Sequence, residues 1–287
     1  MRPAKIGLNS SYRKMAKKLH ASPGTVRNRI KSMYEQGVLL GSSAYPNPGL
    51  FGLKGCACAL DVASLTSKSE FIEKLKQMDG ILFIHNFHGS LVGLLFVYQD
   101  EADLQDKLQL FKSMSGQKEE VVFSHVHFPP CEETLTESER ALISRVASGS
   151  FQSYSELARE LKIGVRTLNR EMARIIRKRA VLSSPTLDYH AIENAVPADL
   201  IVTFSSPELK ERAEEKILGL VGDYLHFLGV GDEDTVYNLF VPGIHTAPEL
   251  VNSVMRIDGV KSVRAELVDE HIDLTREFTR KVLGELT

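Results

Sequence analysis

The sequence repeats itself. The stretch Ser11-Tyr12-Arg13-Lys14-Met15-Ala16-Lys17-Lys18-Leu19 aligns without gaps with Ser153-Tyr154-Ser155-Glu156-Leu157-Ala158-Arg159-Glu160-Leu161, an offset of 142 residues. The offset persists where Thr25 meets Thr167, Ile30 meets Met172, Leu39 meets Val181 and Gly89 meets Gly231, and it grows to 144 by Phe96 and Phe240. A period of half the 287-residue chain predicts two copies of one two-part unit.

The first part of each unit is helical. Tyr12 to Leu19 and Tyr154 to Leu161 carry apolar residues at helical spacing. A short break follows, and Ser22 before Pro23 is an N-cap ahead of a first-turn proline. The next helix buries Val26, Ile30 and Met33 in copy one, and Leu168, Met172 and Ile175 in copy two. Two helices joined by a short turn read as a helix-turn-helix. Leu39-Leu40 and Val181-Leu182 then begin extended segments, as wings would.

The second part alternates strands and helices. Copy one predicts strands over Leu53–Val62, Ile81–His88, Leu91–Tyr98 and Glu120–Phe128, with helices over Ser67–Met78 and Glu101–Met114. Copy two predicts strands over Ala198–Phe204, Tyr224–Val230, Thr235–Val241 and Ser262–Val268, with helices over Pro207–Leu220 and Ala247–Ile257. The order βαββαβ is the ferredoxin-like split unit, an antiparallel sheet with helices on one face and the other face left for a partner. The expected class is α+β: two copies of a winged helix-turn-helix followed by a ferredoxin-like domain. Boundaries fall at 1–48, 49–130, 131–190 and 191–287, the last domain ending in a C-terminal helix.

Charge follows the same division. The formal net charge of -2 argues against nucleic acid when taken alone. By segment it is +8 over 1–45, -5 over 46–134, +4 over 135–190 and -9 over 191–287. Both helix-turn-helix segments are cationic and both sheet segments anionic, the distribution expected if only the first kind meets phosphate. Three cysteines make no disulfide framework, the start leads into no signal-peptide core, and no apolar run spans a bilayer. The expected location is the cytoplasm.

These residues carry a resemblance. Ser11 to Leu19, followed by Ser22-Pro23-Gly24-Thr25-Val26-Arg27-Asn28-Arg29-Ile30, resembles the DNA-binding segment of the Lrp/AsnC (feast/famine) regulators of bacteria and archaea. The βαββαβ parts match that family by element order and hairpin glycine. The resemblance implies double-stranded DNA as partner, sheet-to-sheet dimerisation, and a small effector such as an amino acid. The chain departs from the family in three ways. It is a fused tandem, so an intramolecular pseudo-dimer is expected, with homo-oligomers beyond it. Copy one lacks a helix before Tyr12, whereas copy two has one at about Glu137–Ala147, capped by Thr136 with Glu139 three residues on. The stretch Leu274–Leu286 is a candidate cover for Met15 and Leu19 on the face so exposed. The hairpin motif Gly-x-x-Asp occurs only in copy two, so effector binding is assigned to Gly231 and Asp234.

Helical angles pick out the reading faces. Copy one presents Gly24, Arg27, Asn28 and Lys31 opposite its apolar stripe, with Thr25 at the helix start. Copy two presents Arg166, Asn169, Arg170 and Arg174, with Thr167 at its start. Arg and Asn suit bidentate contacts to base edges, whereas Arg13, Lys14 and Lys17 on the preceding helix suit phosphates. The bland alternative is a solvated cationic face. The two reading faces differ, which predicts an asymmetric site for a single chain.

Other constellations are weaker. Cys56 and Cys58 alternate on one predicted strand, and His125 and His127 on another expected beside it, a weak zinc alternative to small buried hydrophobes. His85 and His88 suggest no role. No phosphate loop, nucleophile elbow or His-Glu protease pair is present, and no cofactor is expected. The chain is therefore expected to be an archaeal transcription regulator and not an enzyme. Tandem proteins resembling the sirohaem decarboxylases are the alternative, and a ligand sensor without DNA binding is another.

Overall fold

The computed structural model describes residues 12–131, 135–147, 154–230 and 234–284. Packing divides them into two compact units, each drawn from separated stretches of chain. The first takes the chain up to Phe51, then Pro129–Ile192, then the residues from Thr275; the second takes Gly52–Phe128 and Glu193–Leu274.

The first unit holds α1 (Tyr12–Lys18), α2 (Pro23–Glu35), β1 (Leu39–Pro46), α5 (Glu137–Ala147), α6 (Tyr154–Glu160), α7 (Val165–Arg177), β6 (Val181–Leu187) and α10 (Thr275–Leu283). Ser22 caps α2 as its sequence suggests, its Oγ accepting from Thr25 N–H at 3.0 Å. Each helix turn ends in a left-handed residue: His20 and Lys162 close the short helices, Gly37 and Arg179 the long ones. Both pairs stand 142 residues apart. Ala21 N–H reaches back to Ala16 O, and Ile163 N–H to Ala158 O, the six-to-one bond of a Schellman stop.

The expected wings take a different form. Neither extended segment folds into a hairpin of its own among the described residues. Instead β1 and β6 pair antiparallel with each other, Pro46 opposite Val181 and Leu39 opposite Leu187. A wing needs a tight turn and a returning strand. Here β1 runs into Pro46-Asn47-Pro48 and a 3-10 turn, where proline offers no ladder donor. The join is held by Asn47, fully buried, whose Nδ2 donates to Pro129 O and Arg179 O at 2.7 and 3.0 Å. The C-terminal helix leaves Leu19 uncovered. Leu283 and Val282 of α10 pack in the cluster of Leu142, Ile143, Leu168 and Ile175, whereas Leu19 stays 56% exposed.

The second unit is one eight-stranded antiparallel sheet. Its elements are β2 (Lys54–Asp61), α3 (Leu65–Lys76), β3 (Ile81–Phe87), β4 (Leu91–Tyr98), α4 (Glu101–Ser115) and β5 (Val122–Val126), then β7 (Val196–Phe204), α8 (Pro207–Val221), β8 (Leu225–Val230), β9 (Asp234–Val241), α9 (Thr246–Met255) and β10 (Val260–Asp273). The strand order is β5-β2-β4-β3-β10-β7-β9-β8. The α+β class and the large antiparallel sheet agree with the expectation. One core forms around Cys56, Leu60, Phe71, Leu94, Phe96 and Phe111, and another around Leu200, Val202, Ile217, Tyr237 and Val254. Residues alternating with these point to the opposite face. β10 is far longer than its sequence pattern predicts. Its first part pairs with β7 and its end pairs with β3, His271 opposite His85. The end strands β5 and β8 come close to each other, and Ser124 Oγ of β5 donates to Asp234 Oδ2 at the start of β9 at 2.5 Å.

Candidate functional site

The reading face of α2 is exposed from end to end. Gly24, Thr25, Arg27, Asn28 and Lys31 all face solvent, as do Arg13 and Lys17 of α1; the side chain of Lys14 lies outside the described set. Three of these groups already have local work. The Thr25 hydroxyl sits 2.9 Å from Ser22 Oγ, Lys31 pairs with Glu35 at 3.1 Å, and the Arg27 guanidinium lies over the Tyr12 ring at 5.7 Å. None of these contacts buries the cation, so each remains available to an anionic surface.

On α7 the predicted residues divide. Arg166, Asn169 and Arg170 are exposed, and Thr167 is half-buried. Arg174, its side chain 40% exposed, is held by a buried acid. Its Nε donates to Glu139 Oε1 at 2.8 Å, its Nη2 lies 2.8 Å from the same oxygen, and Lys178 Nζ adds a contact at 3.3 Å. Glu139 Oε2 accepts from the Thr136 N–H at 2.8 Å and its hydroxyl at 3.0 Å, completing the capping box of α5. The side chain of Glu139 is fully buried. Burial alone would raise its pKa, but the hydrogen bonds from Thr136, Arg174 and Lys178 outweigh it and hold the carboxyl at about 2.

The sheet unit carries a polar array that its sequence does not announce. Asp199 of β7 accepts from Asn238 Nδ2 at 2.7 Å through Oδ1. Its Oδ2 meets His85 Nδ1 at 2.6 Å, and His85 Nε2 meets His271 Nδ1 at 2.8 Å. His271 also stacks on Phe83 with centroids 5.2 Å apart. Four strands supply the four residues, all on the face turned away from the two helix-packed cores. The only advance signal was a carboxylate, Asp199, inside the apolar run Ala198 to Val202.

A cavity of about 400 Å³ opens on the helix side, lined by Lys68, Ile72, Lys76, Asn86, His88 and Asp269 among others. Lys68, nearly buried, donates to Phe87 O and Gly89 O at 2.5 and 2.7 Å. Burial lowers its pKa, against the opposing pull of Asp269. The cavity lies at Gly89, the position matching Gly231, whereas the sequence favours copy two for an effector. Gly231 lies outside the described residues. Asp234 is engaged by Ser124, and its main-chain oxygen accepts from Lys210 at 3.2 Å.

The weak zinc set does not assemble. Cys56 does face His125 across the β2–β5 pair, but His125 Nδ1 is 2.7 Å from Tyr98 Oη and His127 is exposed. Burial pushes the Cys56 thiol up to about 12 and raises that of Cys58 as well. Among the described residues no three His, Cys, Asp or Glu side chains are placed to hold a metal ion. Nor is any described helix long and apolar enough to cross a membrane.

No protein-family model matches the sequence. The chain is 33% identical over 79 residues to the HTH-type transcriptional regulator Ptr1 of Methanocaldococcus jannaschii, a stretch that covers 28% of this chain. That match spans 53% of the relative's length, about half. Among solved structures, the siroheme decarboxylase NirDL in complex with an iron-uroporphyrin III analogue aligns over 97% of this chain and 95% of its own, with TM-score 0.59 and 14% identity. The Leucine response regulatory protein LrpA of Mycobacterium tuberculosis aligns over 48% of this chain and 93% of its own, with TM-score 0.38 and 18% identity. The sequence match to an HTH-type regulator agrees with the resemblance read from the DNA-binding segment, and the full-length structural match shows a fold shared with the decarboxylase. The expectation that it is not an enzyme is overturned by the decarboxylase neighbour. A fold that an enzyme uses over nearly its whole length cannot separate catalysis from regulation, since function resides in sites grafted on folds.

Proposed function

We propose that the chain is a sequence-specific DNA-binding transcription regulator of the Lrp/AsnC type, acting in the cytoplasm. It is a duplicated unit whose halves form an intramolecular pseudo-dimer, with homo-oligomers beyond it. The observation that carries this reading is the pair of exposed, cationic helix faces, Arg27, Asn28 and Lys31 on α2 and Arg166, Asn169 and Arg170 on α7. Sequence kinship with an HTH-type regulator supports it. So do the left-handed stops and the βαββαβ element order recurring in both copies. Arg13, Lys14 and Lys17 contact phosphates, and Gly24, Thr25 and Thr167 set the helix starts against the backbone of the duplex. The cavity beside Lys68 and Asp269 takes a small effector such as an amino acid, with Gly231 and Asp234 marking the matching place in copy two.

Genome-wide DNA capture with the purified chain at two salt concentrations tests the reading. A regulator enriches discrete sites and loses affinity steeply as salt rises. Arg170→Ala weakens binding to an enriched site by about 1–3 kcal/mol if Arg170 reads a base. Uniform recovery of genomic fragments at both salts would refute site recognition.

A second reading is an enzyme resembling the siroheme decarboxylase. Two observations favour it: the alignment over 97% of the chain, and the part-buried Asn238–Asp199–His85–His271 array. Thermal stabilisation of the purified chain by an iron tetrapyrrole carboxylate, followed by product analysis, tests it.

A further inference from the structure

We infer that Arg174, with Glu139 and Lys178, is a positioning residue of the second DNA-binding module and not a reader of DNA. The inference rests on the DNA-binding reading above and assigns a role within it. Arg174 and Lys178 place their cations on one buried oxygen, Glu139 Oε1, at 2.8 and 3.3 Å. That carboxylate belongs to the first turn of α5, and its other oxygen is taken by Thr136. One buried acid therefore fixes the C-terminal half of α7 against the start of α5. A carboxylate with this many donors is a strong, directional anchor, and removing a partner leaves buried charge uncompensated.

The repeat provides an internal control. By the offset of 142, the positions matching Arg174 and Lys178 are Ser32 and Gln36, both uncharged. The exposed cations Arg166 and Arg170 match Gly24 and Asn28, which belong to the reading face of copy one. In the last turn of the second helix, cations occur only in the copy whose structure places a buried acid beside them. The anchor sets the angle at which Arg166, Asn169 and Arg170 are presented, and so governs discrimination between sequences.

The test uses the full chain, a duplex it selects from a random pool, and a scrambled duplex of equal length. Affinities are measured across a salt series for the wild type, Arg174→Gln, Arg174→Lys and Arg170→Gln. For Arg174→Gln the expected result is an unchanged salt slope on the scrambled duplex. Discrimination between the duplexes falls by about tenfold, the size of one lost base contact, and Arg174→Lys restores part of it. A slope that falls by about one phosphate's contribution, ~0.9, makes Arg174 a direct contact and overturns the inference. Unchanged discrimination alongside a lowered Tm also overturns it, leaving a purely structural role. Lys178→Gln is the second variant should Arg174→Gln not fold, with the same outcomes. Failure of the wild type to bind either duplex removes the DNA-binding reading and this inference together, whereas loss of slope in Arg170→Gln alone leaves both standing.

Discussion

His85 and His271 face each other across the β3–β10 seam, with Nε2 of the first 2.8 Å from Nδ1 of the second. With His85 Nδ1 directed at Asp199, the two imidazoles are held in fixed orientation, and Asn238 holds the carboxylate from the other side. Asp199 is the hinge of this chain because both neighbours depend on it. Asp199→Ala strands a buried amide and takes one partner from a half-buried imidazole, so a loss of about 1–3 kcal/mol is expected. Urea unfolding followed by a probe in the sheet unit measures it. A loss no larger than for an exposed control such as Asp106→Ala would show that the array carries no structural weight.

Acid should weaken the helical unit through Glu139. Its carboxyl sits at about 2 in the folded chain against an ordinary 4.5. A depressed folded pKa contributes stability that is complete above about 4.5 and is lost as pH falls through about 2. The shift corresponds to about 3 kcal/mol. Unfolding measured from neutral pH down to about pH 2 should show this loss in the wild type and a much flatter dependence in Glu139→Gln.

The cysteines should differ sharply in reactivity. Cys56 and Cys58 are buried with raised pKa values, whereas Cys131 is half-exposed. The thiolate is the reactive form. A thiol reagent at mildly alkaline pH should therefore modify Cys131 in the native chain and reach Cys56 and Cys58 only in denaturant. Mass mapping of the modified peptides distinguishes them, and native labelling of Cys58 would contradict its placement in the core.

Two strand glycines make a graded pair. A Cβ at Gly55 would lie 2.7 Å from the main-chain oxygen of Val126, whereas at Gly93 it would meet the ring edge of Phe87 at 2.8 Å. A ring can turn and a paired strand cannot. Gly55→Ala should cost about 1–3 kcal/mol, and Gly93→Ala less. Thermal melts of the two variants decide the order.

Much of the fold was legible because its signals are local. Apolar spacing placed α2 and α7, and Ser22-Pro23 marked the start of α2. Thr136 and Glu139 announced the capping box that the structure contains. The capping residue's second role was not legible, because Arg174 meets Glu139 only when α5 and α7 pack. By helical angle Arg174 belongs to the reading face, and angle says nothing of which neighbour a long side chain reaches. The wings failed for a similar reason, since a strand's partner is chosen by the whole fold.

The sequence by itself determined the repeat, the class of each element and the separation of charge. These rest on residue type and spacing along one chain, and the near-neutral total of -2 concealed them only until it was resolved by segment. Tertiary structure alone decided that β1 pairs with β6, that the end of β10 pairs with β3, and that His85, Asp199, Asn238 and His271 meet. Residues as far apart as His85 and His271, 186 positions along the chain, share no local pattern. Their contact is set by strand order and register, which only the cooperative burial of both cores can fix.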